Sequence, residues 1–188
     1  MKSITKLFLY LLLTFSISVQ SSVQNEYSSF SVIGNNNVIN KSGAIELGFK
    51  FVLKDGWHTY WLNAGDSGGP AVFEYKNNSN LVISDITWPG PQKIPYPPLM
   101  TYGFKNDLVI PFKLTLNNLE DSQIEIKTKF LVCDDICIPQ NDSFSLELKN
   151  GILNIKQAPN ELLKWKSLVP ARGPCLLYTS DAADDGLC

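Results

Sequence analysis

Between residues 44 and 148 apolar side chains recur at every second position in several separate runs, a period that suits half-buried strands and not amphipathic helices. In Ala44–Leu53 the apolar face is Ile45, Leu47, Phe49, Phe51 and Leu53, with Glu46, Gly48, Lys50 and Val52 opposite. Leu108–Leu116 repeats the pattern with Leu108, Ile110, Phe112, Leu114 and Leu116, and Pro111 on its other face suits an edge or a bulge. Ile124–Val132 places Ile124, Ile126, Thr128, Phe130 and Val132 inward, and Ser143–Leu148 does so with Phe144, Leu146 and Leu148. Shorter strand-like runs cover Trp57–Trp61, Ala71–Tyr75 and Leu81–Trp88. Asp55-Gly56 signals a turn that predicts a hairpin between the first run and Trp57–Trp61. Ser21–Ser31 and Asn35-Asn36-Asn37 predict a loose leader and a turn. The five prolines of Pro89–Pro98 predict an extended surface loop, because proline cannot donate to a β-ladder. Pro159–Leu168 is the one helical pattern. The expected fold is therefore all-β, an immunoglobulin-like antiparallel β-sandwich with a short C-terminal helix.

The two ends decide how the cysteines are read. Lys2 and Lys6, the apolar run Leu7–Phe15 and the small residues from Ser16 to Ser22 form the pattern of a secretory signal peptide. That run is too short for a membrane-spanning helix, which needs roughly 20 apolar residues. At the other end, Cys175–Asp185 resembles the translation of a sequencing-library adapter, so Cys175–Cys188 is set aside and native sequence is expected to stop near Pro174. The resulting division is residues 1–22 as signal peptide, 23–157 as the sandwich domain, 158–174 as helix and linker, and 175–188 as non-native. Such a chain is expected in an exported, disulfide-permissive compartment such as a bacterial periplasm.

Of the four cysteines, two lie in the excluded tail, which leaves Cys133 and Cys137. With 16 basic and 18 acidic residues and no basic stripe, nucleic-acid binding is not expected. The loop Asn63–Pro70 has glycines but no Lys-Ser/Thr ending and no helix pattern after it, which excludes a phosphate cradle.

Cys133 follows the inward position Val132 and so leaves the core parity just where Asp134-Asp135 breaks the strand. Both sulfurs are expected near the surface. A bridge between them is feasible if the segment folds back and brings the Cα atoms within about 7 Å. It closes so small a loop that its stabilisation is on the order of 2 kcal/mol. Spacing alone leaves three readings open: a redox pair, a local staple, or thiolate ligands for Cu(I) or Zn²⁺ with His58 as a further donor. The acids Asp134 and Asp135 either raise the thiol pKa values or serve as turn formers.

Five segments resemble the N-terminal periplasmic domain of the DsbD family of thiol:disulfide interchange proteins, including the related copper-sensitivity-suppressor membrane reductases. They are Gly56–Asn63, Gly65–Gly68, Ile86–Pro89, Tyr102–Phe104 and Leu131–Pro139, in order across roughly residues 30 to 150. The resemblance implies a redox-active Cys133/Cys137 pair, with Cys137 attacking the partner and Cys133 resolving the mixed disulfide. It implies a thioredoxin-like donor domain and a membrane reductase domain as partners, exported disulfide-bearing proteins as acceptors, and no cofactor or bound metal. It also implies that aromatic side chains shield the pair, with Tyr60, Trp61, Tyr102 and Phe104 as candidates. Some members have a longer cysteine spacing than the three intervening residues here. The alternatives are an exported β-sandwich binding module with a structural disulfide, or a copper-handling domain.

Overall fold

The computed structural model describes residues 22–75 and 80–171. The signal-peptide stretch up to Ser21, residues 76–79 and the tail with Cys175 and Cys188 lie outside the described residues. The described chain forms two antiparallel sheets and one helix. The first sheet is built from β1 (Ser22–Gln24), β2 (Ser28–Gly34), β3 (Ala44–Leu53), β9 (Asp107–Leu116) and β6 (Leu81–Ser84), in that order, and β13 (Lys156–Gln157) joins β2 in parallel. The second runs β12 (Ile152–Leu153), β11 (Cys137–Lys149), β10 (Ser122–Cys133), β4 (His58–Gly65), β8 (Leu99–Lys105) and β7 (Gln92–Tyr96), with β5 (Val72–Tyr75) also on β10. This is the expected immunoglobulin-like sandwich.

The alternating positions meet between the sheets. Phe49 stacks between Phe112 and Phe73, with ring centroids 3.9 and 4.0 Å apart. Phe51 meets Phe30 at 5.0 Å and the edge of Phe130 at 4.9 Å, so aromatic contacts run from one sheet to the other.

Four expectations are corrected by the fold. The stretch Ser21–Ser31 is not a loose leader, because β1 and β2 form a hairpin over Ser22–Gly34. The Asn25 side chain accepts from the backbone N–H groups of Tyr27 and Ser28 and closes its turn, while Phe30 and Val32 enter the core. The predicted hairpin between residues 44–53 and 57–61 does not form. β3 pairs with β2 and β9, β4 pairs with β8 and β10, and the Asp55-Gly56 turn carries the chain between sheets. The proline-rich stretch is not all loop, since Gln92–Tyr96 is a strand. β7 is an edge, so Pro95 can lack an N–H without breaking a ladder on its open side. Pro111 is neither at an edge nor at a bulge: it pairs with Gly48 in the central β3–β9 ladder, and on its other side its carbonyl accepts from the Thr87 N–H at 2.9 Å. The missing donor is tolerated because β6 ends short of that position, pairing only with residues 113–116.

The helix α1 (Pro159–Ser167) starts with proline in its first turn and lies over β9 and β2. Leu162 and Trp165 are its buried residues. Gly48 leaves room for Leu162: a Cβ there would stand 3.0 Å from Leu162 Cδ1. Ion pairs Lys50–Glu161 (2.6 Å) and Lys166–Glu46 (2.7 Å) align the helix on β3.

Asp142 departs from the apolar pattern. It occupies an inward position of β11 opposite Thr128, is buried, and has an Oδ2 without a hydrogen-bond partner among the described residues. Burial raises its pKa, and the neighbouring Asn25 side chain opposes that rise.

Two expectations follow from this packing. Phe49→Ala removes the middle ring of the stack and should lower unfolding stability by about 3–5 kcal/mol in urea titration. For Asp142, the raised folded pKa means its favourable contribution is present below the ordinary value of 3.8 and is lost as pH rises through the folded value. Asp142→Asn should therefore raise the urea midpoint at about pH 7 and leave it nearly unchanged at about pH 2.5, where both forms are neutral.

Candidate functional site

β10 and β11 form a hairpin whose ladder ends at the pair Cys133–Cys137, across the loop Asp134-Asp135-Ile136. The Cα atoms are 4.1 Å apart and the sulfurs are bonded at 2.08 Å. The two cysteines differ sharply in environment. Cys137 is exposed on the rim of the hairpin, whereas Cys133 is 1% exposed.

The burial of Cys133 corrects the expectation that both sulfurs lie near the surface. Its odd position does turn it away from the phenylalanine core, onto the outer face of its sheet. That face is covered there, because Tyr60 and Ala64 from β4 pack on Cys133 with Leu131 beside them. The Tyr60 hydroxyl donates to Cys133 Sγ at 3.2 Å and lies 3.4 Å from Cys137 Sγ.

Tyr60 is itself held from above by the loop Asp66–Ala71. Gly68 has φ +83°, and a Cβ on it would collide with the Tyr60 ring. The glycine is required twice over, for its left-handed backbone and for the close approach to the ring. The same loop is tied to β8 by the Asp66 carboxylate, which accepts from the Met100 N–H at 2.8 Å.

A cavity of about 130 Å³ opens beside the bridge. Its lining includes His58, Ser67, Asp134 and Asp135, with Ile94, Tyr96, Leu99 and Thr101 from the β7–β8 hairpin. The glycine-rich loop, through Ser67, and the proline-rich stretch, as a hairpin, therefore both reach the site. Tyr96, Leu99 and Ile136 are 57%, 38% and 65% exposed and form an apolar rim around the sulfurs.

The four aromatic candidates separate by parity. Tyr60 touches the sulfurs. Trp61 and Phe104 pack in the core between the sheets, and Phe104 meets Trp165 edge-on at 6.1 Å. Tyr102 lies against Gly65, near the register shift between β4 and β8, and does not line the cavity. Sequence reasoning passed over Ile94, Tyr96, Leu99 and Thr101. The alternation of Leu99, Thr101 and Gly103 with Met100, Tyr102 and Phe104 was the available signal, obscured by the prolines next to it.

His58 sits directly opposite Cys133 on one side and Lys105 on the other. Its ring is edge-on to Tyr60 at 5.3 Å. Burial lowers its pKa below 6.5, Lys105 lowers it further, and Asp134 acts in the opposite direction. Among the described residues no group of three or more His, Cys, Asp or Glu side chains is placed to hold a metal ion. No helix among them is long and apolar enough to cross a membrane.

Fold and site together define a class: a β-sandwich that presents one small-loop disulfide at a hairpin tip, with one cysteine buried and the other exposed. The family described as thiol:disulfide interchange protein DsbD, N-terminal, matches residues 31–149, and the chain belongs to it. Among solved structures, the N-terminal periplasmic domain of ScsB from Proteus mirabilis is similar with a TM-score of 0.62 at 19% identity, over 81% of this chain. The chain spans 59% of that structure's length. The Neisseria meningitidis DsbD N-terminal domain in the reduced form aligns over 66% of this chain and 89% of its own, with a TM-score of 0.38 at 10% identity. No curated protein matches the chain.

Gly68→Ala is expected to displace the loop or the Tyr60 ring and so uncover the bridge. The measurement is the rate of disulfide reduction by dithiothreitol in the folded protein, which should rise several-fold; an unchanged rate would mean the loop does not hold Tyr60 in place.

Proposed function

We propose that this domain is a periplasmic thiol:disulfide relay, accepting reducing equivalents from a thioredoxin-like donor domain linked to a membrane reductase and passing them to exported partner proteins. Cys137 is the sulfur that bonds to donor and acceptor, and Cys133 resolves the mixed disulfide. The observation that carries the reading is the unequal exposure of the two bonded cysteines, Cys137 exposed at the hairpin tip and Cys133 buried beneath Tyr60.

The chemistry follows from that inequality. A partner thiolate needs an in-line approach to one sulfur, and the accessible one is Cys137. Its attack forms a partner–Cys137 bond and expels Cys133 as a thiolate, toward which the Tyr60 hydroxyl already points. A second partner thiol then attacks the partner sulfur of the mixed disulfide, so the partner leaves oxidised and the domain holds both thiols. In the acceptor direction Cys137 attacks a partner disulfide and Cys133 closes the bridge again, releasing the partner reduced.

Reduction need not disturb the fold, because the bridge joins neighbours already paired in the β10–β11 ladder. A staple with no exchange role gains nothing from an exposed cysteine beside a cavity.

The test is a trapping experiment. Cys133→Ala should accumulate a mixed disulfide through Cys137 with a thioredoxin-like donor, seen as a gel shift lost on reduction, whereas Cys137→Ala should trap nothing. If neither thiol of the folded, mildly reduced protein reacts with an alkylating probe, the relay reading fails.

A further inference from the structure

We propose that His58 is the proton acceptor for Cys133 when that thiol closes the bridge, and the proton donor to Cys133 when the bridge opens. The inference rests on the relay reading and adds to it the group that handles the proton.

The geometry singles out this side chain. His58 is the direct cross-strand partner of Cys133. Side chains paired in that way have Cβ atoms about 4.5–5.5 Å apart on one face, within reach of an imidazole nitrogen and a sulfur. His58 lines the same cavity as both cysteines, and its ring is kept edge-on against Tyr60. The titratable and charged groups that face it are Cys133 and Tyr60, Lys105 across the β4–β8 ladder, and Asp134 with Asp135 and Cys137 at the hairpin tip. It is the one histidine in the sequence.

The charge state suits the task. A half-buried imidazole with its pKa held below 6.5 is neutral at neutral pH and can take a proton. Cys133 is buried, where a thiol loses its proton less readily than in water. A buried resolving thiol next to a neutral imidazole can react without first being a free thiolate.

Cys133 Sγ attacks Cys137 Sγ of the mixed disulfide, and its proton moves to His58. The Cys133–Cys137 bond forms as the Cys137–partner bond breaks, and the electron pair departs on the partner sulfur as a thiolate. The imidazolium then releases its proton to solvent or to that thiolate. The domain's dithiol has been oxidised by two electrons and the partner's disulfide reduced. In the opening direction the incoming partner thiol gives its proton to His58 as its sulfur attacks Cys137, and the imidazolium so formed protonates the departing Cys133 thiolate.

The experiment uses 5,5′-dithiobis(2-nitrobenzoate) as the partner disulfide, followed by stopped-flow absorbance. Attack by Cys137 releases one thionitrobenzoate in a first phase, and closure by Cys133 releases the second. In the unmutated protein the second-phase rate should stay level between the titration of His58 and that of the thiol, and fall below the histidine's titration. In His58→Gln the same rate should instead drop about tenfold per pH unit below the thiol pKa, as expected when only thiolate reacts. His58→Ala with added imidazole should recover part of the level region.

A tenfold-per-unit slope in the unmutated protein overturns the proposal without reference to any variant. A level region that survives in folded His58→Gln overturns it as well. Absence of both phases in every protein would instead mean that the relay reading is wrong.

Discussion

The register of the β10–β11 ladder is the constraint on which the rest of the site depends. Twelve consecutive residue pairs, from Ser122–Leu148 to Cys133–Cys137, hold the hairpin, and even-numbered side chains of both strands enter the core. A slip of one residue would turn Ile126, Phe130, Phe144 and Leu146 to solvent, so the hydrophobic effect fixes the register far from the cysteines. The sulfurs inherit their positions from it. Odd parity sends Cys133 to the outer face, and a three-residue loop returns the chain with Cys137 beside it.

β4 makes that outer face different from an ordinary solvent face. It is the strand on which the two sides of the sheet do separate jobs: Thr59 and Trp61 face the core, while His58 and Tyr60 face the bridge. Thr59 Oγ1 donates to the Leu131 carbonyl at 2.9 Å, which binds β4 to β10 two residues before Cys133. The position of Tyr60 over the sulfurs is thus set by a ladder whose other face is clamped in the core. Above it, a glycine at positive φ lets the Asp66–Ala71 loop touch the ring, and beside it the β7–β8 hairpin closes the cavity. A rigid sheet carries the reactive pair, and its covers come from loops and an edge hairpin, elements with fewer buried contacts and lower resistance to local opening.

The sequence made the sandwich legible because each long strand has one solvent face and one core face, which prints alternation directly into residues 44–53, 108–116, 124–132 and 143–148. It hid the features set by distant partners. Nothing local says that the chain changes sheets at Asp55-Gly56, because a tight turn serves a hairpin and a crossover equally well. The strand at Gln92–Tyr96 was concealed by its prolines, and only its edge position makes Pro95 admissible. Ser21–Ser31 reads as a leader because it is polar and rich in serine, and the pairing of β1 with β2 is decided by Phe30 and Val32. At the site, the cysteine pair and its turn were readable from spacing and parity. The identity of Tyr60 as the residue on the sulfurs was not, because four aromatic positions in family-like motifs were equivalent until the β4–β8 register separated the two faces.

Burial of Cys133 has a consequence for how the domain can discriminate among thiols. An exposed pair would meet any small thiol equally at either sulfur. Here the exposed cysteine, Cys137, stands near the apolar rim residues Tyr96, Leu99 and Ile136, and Cys133 is buried beneath Tyr60. The rim favours a partner that brings its own apolar surface, since removing about 25 cal/mol of hydration cost per Å² rewards contact area that a small thiol lacks. The tyrosine hydroxyl adds a second condition, because moving it away from two sulfurs leaves a polar group to be satisfied by the incoming chain. Under the proposed relay, selectivity for protein partners over small thiols rests on these surroundings of the bridge.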